Sequence, residues 1–243
     1  MRYKLTLQYD GGGYHGWQKQ NAQVLTVQQT VEEAIERVTR HAVSLEGSGR
    51  TDEGVHALGQ TAHFDTEREY PPERYVAAIN YYLPADIRAV NCEVVGEDFH
   101  ARKSTKRKTY VYKLYNSQIE NPLLRNRAYC VSGVNIGIMN AGAQYLIGKH
   151  DFSTFMSSGS SAKTFTRTVF AASVTEKNGI IEFSITGDGF LYNMVRIITA
   201  ALVKIGRGDS PEKMIELLAA RNRSVAQEIA PSHGLYLKSV EYE

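Results

Sequence analysis

The stretch Gly47-Ser48-Gly49-Arg50-Thr51-Asp52-Glu53-Gly54-Val55-His56-Ala57 sets an arginine, a hydroxyl and two carboxylates between glycines. Glycine permits a positive φ or a close backbone approach to a ligand. In an extended or loop backbone, residues two apart point the same way, so Arg50 and Asp52 can face one partner. A surface turn, with Ser48 or Asp52 bonded to its own backbone, is the simpler reading of such a segment. Two familiar phosphate and metal loops are excluded. Gly49 and Gly54 have the spacing of a P-loop, but Val55-His56 stands where Lys-Ser/Thr is needed. The repeated acidic ligands of a calcium loop are missing as well.

Two further residues carry possible chemistry. Arg196 lies among Leu191, Met194, Val195, Ile197, Ile198 and Leu202, in a helical pattern apolar nearly all round. An arginine is rarely buried without a partner. Either its side chain snorkels to the helix edge, or it meets a buried carboxylate, for which Asp52 is the natural candidate. Such a pair would keep Asp52 ionised at neutral pH. Tyr110 follows the basic run Lys106-Arg107-Lys108 and shares a strand face with Tyr112 and Leu114. These tyrosines are either core aromatics or, for one placed beside phosphate-binding residues, a platform for an unpaired base.

Charge and composition narrow the partners. The 243 residues are 42% hydrophobic and 22% charged, with a formal net charge of +2. Arg102, Lys103, Lys106, Arg107, Lys108 and Lys113 nevertheless crowd one segment without an intervening acid. That segment is a solvated linker or a patch that tracks phosphates. The longest apolar run, around Ile197 to Ile205, is interrupted by Thr199 and Lys204, so no membrane partner is expected. Met1-Arg2-Tyr3-Lys4 enters an alternating strand pattern at once rather than a signal peptide's apolar core. Two cysteines make no disulfide framework, which points to the cytoplasm. The seven histidines show no metal spacing, so no metal site is expected.

The elements that must hold these residues follow from periodicity. Arg2–Tyr9 alternates as a strand and ends at Asp10-Gly11-Gly12-Gly13. Val27, Val31, Ile35 and Val38 make a helix capped by Thr26. Short strands are expected at Val43–Leu45 and Gln60–Asp65, the latter with Ala62 and Phe64 inward. Pro72 opens a helix that Pro84 stops, and a strand crosses Ile87–Val95. That order is β-α-β-β-α-β, the ferredoxin-like arrangement. After a polar crossing segment at 97–108, strands are expected at Thr109–Tyr115 and Ala128–Val131, then a helix through Ile136, Met139, Ala143 and Ile147. A hairpin turns at Lys177-Asn178-Gly179, between Phe165–Thr175 and Ile180–Thr186. Helices are expected at Phe190–Ile205 and Pro211–Ala220, and a last strand at Leu235–Val240. The reading is α+β: two ferredoxin-like (RRM-like) halves, 1–104 and 105–243, with antiparallel sheets joined around a central catalytic cleft. Asp52 falls in the first half and Tyr110 and Arg196 in the second.

The segment Gly49-Arg50-Thr51-Asp52-Glu53-Gly54-Val55-His56-Ala57 resembles the catalytic loop of the tRNA pseudouridine synthase A family. Lys106-Arg107-Lys108-Thr109-Tyr110 and Gly189-Phe190-Leu191-Tyr192-Asn193-Met194-Val195-Arg196 resemble its other two motifs. Matching pieces run from Tyr9-Asp10-Gly11 to Ala230-Pro231-Ser232-His233-Gly234-Leu235-Tyr236-Leu237; Lys103 departs from them, standing where an aromatic is more usual. The resemblance implies that Asp52 is catalytic, that Arg196 pairs with it, and that Tyr110 stacks on the target uracil. Arg50 would hold the phosphate or flipped nucleotide. The implied reaction isomerises uridine to pseudouridine at positions 38, 39 and 40 of the tRNA anticodon stem-loop, by a homodimer that binds no DNA. It needs no cofactor, because product and substrate are isomers. Two other classes fit the residues less well: a noncatalytic RNA-binding protein with tandem RRM-like halves, for which no RNP1 sequence is present, and a carboxylate-nucleophile hydrolase of small nucleosides.

Overall fold

In the computed structural model, which describes residues 1–20, 24–159 and 162–242, the chain forms an α+β fold of two compact units. One comprises Met1–Lys106 with Leu237–Glu243, and the other Arg107–Tyr236.

The first unit follows the β-α-β-β-α-β order: β1 (Arg2–Tyr9), α1 (Val27–Thr39), β2 (Glu46–Gly47), β3 (His56–Asp65), α2 (Pro72–Tyr82) and β4 (Ile87–Val95). All pairings are antiparallel, β4 and β3 flanking β1 and β2 lying on β3. The alternation of β1 puts Tyr3, Leu5, Leu7 and Tyr9 inward, and all four are buried. Tyr3, Phe64 and Tyr75 form an aromatic core with ring centroids 4.6 to 5.6 Å apart. Their phenols still find acceptors, Tyr70 O for Tyr3 and Arg68 O for Tyr75. Each large side chain so buried contributes roughly 1.5–3 kcal/mol. Cys92 joins this core, and burial pushes its thiol up to about 12. Because the thiolate is the reactive form, Cys92 is expected to resist iodoacetamide at pH 8 until guanidinium unfolds the protein. Mass spectrometry of native and denatured samples checks this.

The strand expected at Val43–Leu45 is displaced to Glu46–Gly47. Leu45 cannot join the ladder because α1 takes both of its backbone groups. Its amide donates to Glu32 Oε1 at 3.1 Å, and its carbonyl accepts from Gln28 Nε2 at 2.8 Å. Strand β3 begins at His56, four residues earlier than expected.

The second unit contains β5 (Arg107–Asn116), β6 (Tyr129–Val131), α3 (Ile136–Gln144), β7 (Gly148–Asp151), β8 (Thr166–Lys177), β9 (Ile180–Gly187), α4 (Met194–Gly206) and α5 (Lys213–Ala220). Its strands run in the order β7-β8-β9-β5, antiparallel, with β6 parallel to β5. The β8–β9 turn takes positive φ at Asn178 and Gly179, as that dipeptide implies. Helix α4 starts at Met194, not Phe190. Asn193 sits at φ +61, a left-handed conformation that stops the helix from extending backwards. The closing strand β10 (Leu235–Glu241) begins in the second unit, and from Leu237 it belongs to the first, beside β3. No helix among the described residues is long and apolar enough to cross a membrane.

Candidate active site

The Asp52 loop connects β2 to β3, and buried partners hold it at both ends. Ser48, fully buried, donates its hydroxyl to Gln60 Oε1 at 2.7 Å, and its amide donates to Thr61 O. Gln60 returns through Nε2 to Gly49 O at 2.9 Å. At the other end Thr51 is tied twice. Its hydroxyl lies 2.8 Å from the Tyr9 phenol, and its carbonyl accepts from the Trp17 amide at 2.9 Å. Burial pushes the Tyr9 phenol above its ordinary value, so it stays neutral. The turn closes with Val55 N donating to Asp52 O, next to Gly54 at φ +77.

A second glycine-rich segment, 10–18, packs directly against this loop. Gly11 is indispensable there, because a Cβ on it would lie 2.0 Å from Val55 O. Gly16, at φ +82, approaches so closely that a Cβ would lie 2.6 Å from Thr51 O. The Gly11 amide donates to Nδ1 of the buried His56 at 3.1 Å. Asp10 Oδ1 lies 3.0 Å from that nitrogen, so Nδ1 can serve only one of the two at a time. Segment 10–18 is anchored in turn by α1, whose first amides donate to Gly16 O and Trp17 O. The result leaves Ser48, Thr51, Val55 and His56 buried, Asp52 half-buried and Arg50 exposed. A carboxylate and a guanidinium are thus presented on a backbone with little freedom to move, as a catalytic group requires.

The second unit carries Tyr110 and Arg196. Tyr110 lies on β5 opposite Ile185, half-buried, with its ring edge-on to Phe190 at 5.1 Å and 83°. Tyr112, on the same face, is fully buried and donates to Pro231 O at 2.6 Å. Arg196 is half-buried on α4 between buried Val195 and Ile197. Its Nε donates to Ala230 O at 2.8 Å and its Nη1 to Asn193 Oδ1 at 2.8 Å. Two fixed donors set the plane of the guanidinium. Of the basic run, Arg102, Lys103, Lys106 and Arg107 are exposed, and Arg107 stacks over Phe170 at 4.8 Å. Lys113 is partly neutralised by Glu182 at 4.0 Å and lies over the Tyr236 ring. Among the described residues, no three His, Cys, Asp or Glu side chains gather as a metal site.

Sequence reasoning did not assign the residues that hold the loop, Tyr9, Trp17 and Gln60. Tyr9 reads as one of the residues on the inward face of its strand, and Trp17 as part of the glycine-rich loop Tyr14-His15-Gly16-Trp17-Gln18. Gln60 carried a signal of its own, since its position is in phase with the inward Ala62 and Phe64, and the structure finds it fully buried in β3.

The sequence profile of a family described as tRNA pseudouridine synthase matches residues 6–121 and 143–243. A protein of Acetivibrio thermocellus named tRNA pseudouridine synthase A is 48% identical over 242 residues, covering 98% of each chain. Another of Clostridium tetani, named tRNA pseudouridine synthase A 2, is 43% identical with the same coverage. One of Lactobacillus helveticus, named tRNA pseudouridine synthase A, is 42% identical over all of this chain and 94% of its own. A solved chain titled as part of a Cbf5-Nop10-Gar1 complex aligns with 84% of this chain and 45% of its own length, at 12% identity and a TM-score of 0.37. That score is too low to argue from. The match along nearly the whole sequence is decisive: this chain belongs to the tRNA pseudouridine synthase family, whose reaction isomerises uridine to pseudouridine in tRNA.

Proposed function

We propose that this enzyme modifies uridines 38, 39 and 40 of the tRNA anticodon stem-loop, as a cytoplasmic homodimer, with Asp52 as its catalytic group. Such uridines lie in or beside a helix, so the target must flip out at a cost of roughly a few kcal/mol. Arg50 binds the phosphate or flipped nucleotide, and Tyr110 stacks on the uracil. Asp52 starts the reaction as nucleophile or base, and both roles need its ionised form; Arg196 keeps it so by charge pairing. The C1′–N1 bond breaks with its electron pair left on N1, the uracil rotates, C1′ bonds to C5, the C5 proton leaves to water, and N1 takes a proton from water. Atoms and electrons balance without a cofactor or metal.

The observation that best supports this reading is the loop itself. Its flanking residues are bonded and buried, while Asp52 is half-buried and Arg50 faces solvent. A solvated turn has no need of such anchoring. The exposed Arg102, Lys103, Lys106 and Arg107 suit a phosphate backbone, with salt-dependent affinity. The position range is tested with tRNAs carrying a single uridine at 38, 39 or 40, and pseudouridine mapped by carbodiimide and primer extension. Modification at each of the three is expected. Modification confined to another arm of the tRNA would overturn the assignment.

A further inference from the structure

We infer that Tyr112 is a positioning residue for the reaction, its phenol fixing the turn that aims the Arg196 guanidinium. This inference rests on the reading that Arg196 acts on Asp52. A phenylalanine would fill the same space on β5, so the hydroxyl calls for an explanation. A buried hydroxyl is costly unless bonded, and this one donates to Pro231 O at 2.6 Å. Burial raises its pKa far above the ordinary phenol value, so it remains a donor across the working range.

The bond holds Pro231 through its carbonyl, since a proline has no amide to donate. The residue before it, Ala230, exchanges two bonds with Arg196. Its amide donates to Arg196 O at 3.2 Å, and its carbonyl accepts from Arg196 Nε at 2.8 Å. Below the turn, the Tyr112 ring occupies the space beside Gly234, where a Cβ would lie 2.6 Å from the ring carbons. Beyond it, the Tyr236 phenol donates to Arg127 O. The Tyr112 hydroxyl is therefore one residue away from the acceptor that orients Arg196. Losing it frees Pro231 and lets Ala230 O drift while the strand and its ring packing stay intact.

The test is a double-mutant cycle read by steady-state kinetics on tRNA. Tyr112→Phe is expected to lower kcat about tenfold with KM within about twofold, as a small misplacement of one aimed group does. In an Arg196→Lys background, which lacks Nε, Tyr112→Phe is expected to change kcat by less than about twofold. Hydrogen exchange supplies the second readout. In Tyr112→Phe the Ala230 amide should lose protection while the β9 amides keep theirs.

Wild-type kcat in Tyr112→Phe, alongside a slow Arg196→Lys, overturns the role of Tyr112 and leaves the reading of Arg196 standing. Wild-type kcat in Arg196→Lys overturns both. An equal loss from Tyr112→Phe in both backgrounds, or faster exchange at all amides together, shows a general structural role and also overturns the inference.

Discussion

Asp52→Asn is expected to cut turnover on tRNA by on the order of ten-thousand-fold, the scale on which single essential catalytic groups act. The substitution keeps the shape of the side chain and removes only its charge and basicity. The backbone turn survives, since Val55 N donates to the main-chain carbonyl of residue 52. Ser48, Thr51 and their partners are untouched. The melting temperature should therefore stay within a few degrees of wild type. Affinity for tRNA should also persist, because Arg50 and the other basic residues proposed to hold it are unchanged. Filter binding and single-turnover kinetics on the same preparations separate the two: unchanged Kd with lost turnover marks a group used in the chemical step.

Gly11→Ala should lower activity roughly a hundredfold without touching any group placed in the chemistry. The added methyl would lie 2.0 Å from Val55 O and 2.7 Å from Val55 C, so the two segments must part. That is closer by more than about 1 Å than a van der Waals contact allows. Overpacking of this kind costs roughly 1–3 kcal/mol, or about 2–12 °C of melting temperature in a chain this long. The displaced residue is bonded to Asp52, and a misplacement of about 1 Å can cost roughly a hundredfold in rate. Gly13→Ala is the control. Nothing lies within 4 Å of a Cβ there, and it should change stability by less than about 0.5 kcal/mol with activity retained. Thermal melts and kcat for the pair check the argument.

Much of the fold was legible because its signals are local. The alternation of Arg2–Tyr9, the Thr26 cap on α1 and the Asn178-Gly179 turn each reflect the residues that cause them. The misplaced elements depend on distant partners. Leu45 leaves its ladder because Glu32 and Gln28, in a helix earlier in the chain, capture its backbone. Strand β7 went unread because its four residues, Gly148–Asp151, pair with β8 across a long connection and show no apolar alternation. In the candidate site the same division holds. Arg50 and Asp52 stand out because polar residues between glycines are visible as such. Tyr9, Trp17 and Gln60, which immobilise that loop, are chosen by three-dimensional packing. Tyr112 likewise looks like core until its hydroxyl is found on Pro231.

The most direct test of the central claim is tritium release from tRNA transcribed with tritium at uracil C5. Wild-type protein should release tritium to water in step with pseudouridine formed, and Asp52→Asn, binding the same tRNA, should release essentially none. If wild type binds that tRNA and releases no tritium, C5 substitution on this substrate is contradicted, and a noncatalytic RNA-binding role takes its place. If Asp52→Asn releases tritium at the wild-type rate, the carboxylate at position 52 is not the group that drives the reaction.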